Sequence, residues 1–171
     1  ETVDVIDLRY WWRTDKGEFA PPGGKNLAPR QFERQWKGGR PNAENLAGMA
    51  AEYRIKYPHK PIICDFDAAG WAWVCAGGPL PRLPKSTEAK LLMGIPTMKP
   101  VPTLSANGRW TIGDAGQQFL VCQNRAADEL DLTVMTGSYR VHTVNTDTGK
   151  VTPGKTITVG GIVKLPDAAV V

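Results

Sequence analysis

The chain has 171 residues, 42% of them hydrophobic and 22% charged, enough for one ordinary domain or two small ones with a real core. No apolar run approaches the roughly 20 residues a membrane helix needs, so the composition predicts a soluble protein without a membrane partner. The net charge of +4 comes from scattered lysines and arginines rather than a basic stripe, which argues against a nucleic-acid partner.

The chain opens on "ETVDVID", with no leader or capping segment before the first apolar run, the pattern expected of a truncated chain. "TVDVIDLRY" is β-branched and nearly continuous in its apolar character, as in a strand buried on both faces of a parallel sheet. Tyr10, Trp11 and Trp12 follow at once, then a long loop. Pro29 precedes "RQFERQW", in which Phe32 and Trp36 share one face of a short helix.

Asn42 stands at a helix start, and Leu46, Met49, Ala50, Tyr53 and Tyr57 form a single stripe before Pro58 ends the segment. "KPIICDF" is a second buried strand, and the order strand, helix, strand predicts a parallel βαβ unit. "GWAWVCAGG" fits either a strand or a buried helix, which periodicity does not separate. Ser86 is placed to cap "TEAKLLMGIPTM", and "KPVPT" reads as a linker.

From Leu104 onward the apolar period falls to two, over "RWTIGD", "QQFLVCQN", "ELDLTVM", "SYRVHTV" and "KTITVGGIVKLP". This half reads as all-β. "NTDTGK" is a hairpin turn carried by Asp147 and Gly149.

Cys64, Cys75 and Cys122 have no metal-ligand spacing; a Cys64 to Cys75 bridge fits the sequence, but buried free thiols are the expectation. His59 lies in a proline-flanked turn and His142 alternates within a strand, neither with a metal-binding partner. "PPGG" and "AGGPLP" are loops rather than phosphate cradles. No metal and no cofactor is expected.

The segments "DVIDLRYWW", "KPIICDFD" and "WAWVCAGGPLP", followed by "GQQFLVCQN" and "YRVHTVNTDTGKV", resemble the C-terminal end of certain (β/α)8-barrel glycoside hydrolases. In these a small β-sandwich, often labelled a collagen-binding domain, follows the barrel. The resemblance implies an α/β plus all-β chain: residues 1–100 as a partial TIM barrel, its last βα units, and 104–171 as a small antiparallel β-sandwich. The three N-terminal runs then correspond to the last three barrel strands.

Barrel enzymes work at the carboxyl ends of their strands, so the resemblance points to the residues that close each run. Asp65 and Asp67 become the catalytic carboxylates; Asp7, Arg9, Tyr10, Trp11, Trp12 and Trp71 become substrate contacts. Aromatic rings there offer flat faces for sugar stacking. The family pattern has a glutamate five positions after the proline of the second run, where this chain has Phe66. Glycoside hydrolysis uses two carboxyl groups, and the strand that bears the other one in such barrels is not in this sequence.

The implied partner is a carbohydrate, and a polymeric substrate implies an extracellular or periplasmic setting. The alternative in a different class is a non-catalytic glycan-binding or structural module. An incomplete barrel would expose an open parallel edge, so the chain is expected to self-associate. Light scattering at micromolar concentration tests this, a monomer being the contrary result.

Overall fold

The computed structural model describes residues 4–7, 42–64, 70–106, 108–114, 117–124, 129–168 and 170–171, and the backbone pairing of 12–13 and 19–20. Among these, helices and strands mix, and the sheets are small and mostly antiparallel.

The exception is the parallel pair at the N-terminal side. Strand β1 (Ile6–Asp7) lies beside β4 (Ile62–Ile63) with Ile6 opposite Ile62 and Asp7 opposite Ile63. Helix α1 (Ala43–Lys56) falls between them in sequence, as the predicted strand, helix, strand order requires. Leu46, Ala47, Met49 and Ala50 are buried along one stripe of α1, while Tyr53 and Tyr57 are half-buried. Glu44 in its first turn and Arg54 and Lys56 in its last complement the helix dipole. Trp12–Arg13 (β2) and Phe19–Ala20 (β3) pair antiparallel.

"GWAWVC", the third run aligned with a barrel strand, is helix α2 (Gly70–Cys75), and every residue in it is buried. A helix hydrophobic all round has no amphipathic stripe to read, which is why its period was silent. Gly70 is needed at its start, because a Cβ there would sit 2.0 Å from the Arg82 carbonyl oxygen.

Helix α3 (Ala89–Gly94) starts after Glu88 with no side-chain cap. The Ser86 hydroxyl, predicted as that cap, instead donates to the Thr148 carbonyl at 2.6 Å, tying this segment to a turn far along the chain. The "KPVPT" segment is likewise no linker. Lys99–Pro100 (β5) pairs with β6 (Arg109–Asp114), and Pro102–Leu104 forms a 3-10 turn whose Leu104 is buried.

The C-terminal half is the predicted set of strands. β6 pairs antiparallel with β7 (Gln118–Gln123), β8 (Glu129–Asp131) with β11 (Ile162–Lys164), and β9 (Ser138–Val144) with β10 (Val151–Thr158). Val170 bridges both Cys122 and Val144, so the last residues stitch β7 to β9. In the β9–β10 turn it is Asn145, rather than Asp147, that organises the chain. Its Oδ1 accepts from the N–H groups of Asp147 and Thr148, while Gly149 takes φ +69°.

The period of two divides the strands between two cores. Leu120 and Cys122 join Ile112, Val144 and Val170 against the helices α1 and α2; Val121 faces Leu104, Leu130, Leu132 and Leu165 on the other side. The helical layer and the sheet thus share one apolar cluster. Among the described residues, no helix is long and apolar enough to cross a membrane.

At the end of β8, the Asp131 carboxylate accepts from the hydroxyl and the N–H of Thr133. These bonds hold its carboxyl below the usual aspartate value despite full exposure. A depressed folded pKa means stabilisation present above the unfolded pKa and lost as pH falls through the folded one. An NMR titration is expected to place the Asp131 midpoint below that of an Asp131 in the Thr133→Ala variant; identical midpoints would contradict the assignment.

Candidate functional site

Two regions of the molecule are candidates for a site. The first is the edge toward which β1 and β4 both run. Their parallel register turns both carboxyl ends the same way, and Asp7, the last residue of β1, is exposed there. Trp12 lies in β2 opposite Ala20. Arg9, Tyr10, Trp11, Asp65 and Asp67 fall outside the described residues, so Asp7 and the β2 backbone are the parts of the predicted site that the structure describes.

Trp71 lies elsewhere. It sits in α2, 7% exposed within the main core, and its indole N–H donates to the Thr146 carbonyl at 3.0 Å. The neighbouring Trp73 is equally buried and donates to the Pro79 carbonyl at 2.9 Å. Both indoles close loops over the core: Gly78 packs against the Trp73 ring, where a Cβ would come within 2.2 Å. The "AGGPLP" loop that follows turns through Gly77 at φ +86° and Leu80 at φ +49°.

Cys64, Cys75 and Cys122 are buried thiols outside any disulfide, as the sequence led us to expect. Burial pushes the Cys75 thiol well above its ordinary range, and its hydrogen bond with Cys122 adds to this. Cys75, held protonated in the core, is an inert packing group. Among the described residues no cluster of histidine, cysteine and carboxylate side chains could hold a metal ion.

The second region was not singled out from the sequence. A cavity of about 910 Å³ opens between β7 and β9, lined by Leu120, Phe119, Tyr139, Arg140 and His142 among others. The Phe119 and Tyr139 rings meet with centroids 5.8 Å apart. The Nδ1 atom of His142 is buried there without a hydrogen-bond partner. Alternation alone places these side chains on strands, but does not reveal that β7 and β9 are bridged through Val170 rather than paired with each other.

The sequence matches the family described as Domain of unknown function (DUF6298) over residues 1–98. No curated protein matches the chain, and no solved structure does.

Proposed function

From the premise that the chain belongs to the DUF6298 family, we propose that it is the C-terminal portion of a glycoside-hydrolase-like protein that acts on or binds a polysaccharide. In this proposal residues 1–100 are the last βα units of a (β/α)8 barrel and 104–171 a small β-sandwich packed against them. The parallel pairing of β1 with β4, with α1 between them in sequence, is the observation that carries the reading. Parallel α/β sheets bind ligands at the carboxyl ends of their strands. Asp7 closes β1, the sequence Arg9, Tyr10, Trp11, Trp12 follows it, and Asp65 and Asp67 come within four residues of the end of β4.

Each group has a role there. Asp65 or Asp67 supplies one carboxyl of the pair, which works at a separation of about 5–10 Å depending on whether configuration is retained or inverted. Asp7 is the partner available within the chain. Tyr10, Trp11 and Trp12 offer ring faces to the sugar, and Arg9 a planar donor to its hydroxyls or to an acidic substituent. Trp71, with its ring in the core, is not offered as a stacking face. A polymeric glycan implies work outside the cell or in the periplasm.

The second reading, a glycan-binding or structural module without catalysis, is favoured by Phe66 at the position where the resembling barrel hydrolases carry a glutamate and by the core shared between helices and sheet. Release of reducing ends from a plant and algal oligosaccharide panel separates the two. Hydrolysis abolished in Asp65→Asn or Asp67→Asn supports the enzyme; binding without hydrolysis selects the module; neither binding nor hydrolysis overturns both.

A further inference from the structure

Two of the three cysteines meet at the junction between the helical layer and the sheet. Cys75 is the last residue of α2, and Cys122 stands in β7 opposite Trp110 of β6. They are 1% and 6% exposed, inside the cluster in which the helices pack on Ile112 and Leu120. There the two thiols share a hydrogen bond. Cys64 follows β4 and belongs to the same cluster. The sequence allows a Cys64 to Cys75 bridge, but the fold turns Cys75 toward Cys122.

Two thiols in contact are more than two small apolar fillers. A disulfide holds its sulfurs about 2 Å apart and its Cβ atoms about 4 Å apart. Thiols that share a hydrogen bond already point at one another, so rotation of the two side chains is the main movement that closure needs. The finished core admits no oxidant and keeps Cys75 protonated, so the pair is reactive before the layers close. Helix α2 and β7 are distant in sequence, and a bond between them closes a long loop, the kind that restricts the unfolded chain most.

We propose that Cys75 and Cys122 form a disulfide when the chain folds in an oxidising compartment, a covalent tie between the helical layer and the sheet, and that Cys64 stays a thiol. The oxidant is a small-molecule disulfide. The thiolate of one cysteine attacks it, forming a mixed disulfide and expelling one small thiolate. The thiolate of the other cysteine then attacks the protein sulfur of that mixed disulfide, which forms the Cys75 to Cys122 bond and expels the second small thiolate. Two cysteine thiols are oxidised, one small disulfide is reduced, and the two protons that the cysteines lose go to the two departing thiolates. The oxidising setting rests on the proposed function, since a polymeric glycan is met outside the cell; the pairing rests on the packing alone.

The test refolds the full chain, first unfolded in urea with a reductant, at low concentration in a buffer of reduced and oxidised glutathione. Remaining thiols are alkylated and the chain is cut with chymotrypsin, which cleaves after Phe66, Trp71 and Trp73 and so parts Cys64 from Cys75. The expected product joins the Cys75 and Cys122 peptides, weighs two hydrogens less than their sum, and leaves the alkyl label on Cys64. The oxidised chain should regain the tryptophan fluorescence of the reduced fold and unfold at about 1–2 M higher urea, a gain that dithiothreitol removes. Cys64→Ala should leave the link intact. Alkylation of all three cysteines, a link through Cys64, or a Cys75 to Cys122 link that lowers the urea midpoint would each overturn the proposal. The peptide map involves no oligosaccharide, so its failure and the failure of the glycan reading are distinguishable.

Discussion

Trp71→Ala is expected to lower the stability of the chain by about 3–5 kcal/mol, the range for emptying a large aromatic site in a packed core. The ring is 7% exposed and belongs to the cluster in which α1 and α2 meet Ile112, Leu120 and Cys122 of the sheet. Truncation leaves a cavity at that junction and also strips the Thr146 carbonyl of its donor. Trp71→Phe separates the two effects. It keeps most of the buried ring and loses the hydrogen bond, for about 1–2 kcal/mol. Urea unfolding checks both, and the slope should stay constant if the helices and the sheets unfold together. A loss below about 1 kcal/mol in Trp71→Ala, or two separate transitions, would contradict a shared core.

The second large effect is expected at Arg109. Its side chain is 8% exposed at the start of β6, where Nε donates to the Leu104 carbonyl at 3.0 Å and Nη1 to the Glu129 carbonyl at 2.6 Å. One planar guanidinium thereby holds the 3-10 turn and β8 to β6. Arg109→Met fills the volume and removes every donor, and its expected cost is about 2–4 kcal/mol. The Leu104 carbonyl keeps the Thr111 hydroxyl at 3.0 Å. Arg109→Lys should recover only part, because a single ammonium cannot span two carbonyls as the fork does. Thermal unfolding of the pair checks the order; Lys equal to Arg would contradict the two-carbonyl role.

Local patterns were legible wherever one face of an element is wet. The stripe of α1 and the β9–β10 hairpin could both be read from residue spacing. Where burial surrounds an element, period carries no information, and "GWAWVC" became a helix because close approach at Gly70 and packing on all sides decided it. Caps and turns failed for another reason. Ser86 has several backbone groups within reach, and a neighbour distant in sequence, the Thr148 carbonyl, takes its hydroxyl; in the NTDTGK turn Asn145 and Asp147 are both able to accept from nearby N–H groups, and spacing does not choose between them. "KPVPT" has the composition of a linker, yet an edge strand tolerates proline when its outer side needs no donor.

The candidate site was legible only as residue types at strand ends. The parallel register of β1 and β4 gives those ends a common side, but the carboxylates Asp65 and Asp67 lie outside the described residues. The cavity beside β9 was illegible from sequence, since it depends on which strands fail to be neighbours. Val170 bridging Cys122 and Val144 is a contact no local pattern encodes.

The glycan proposal meets its most direct test in a titration of the chain and its Trp12→Ala variant with plant and algal oligosaccharides, followed by tryptophan fluorescence. Saturable quenching in the parent chain that disappears in Trp12→Ala is the predicted result. Quenching of equal amplitude and midpoint in both, or no response to any oligosaccharide, would contradict a sugar subsite at the end of β1.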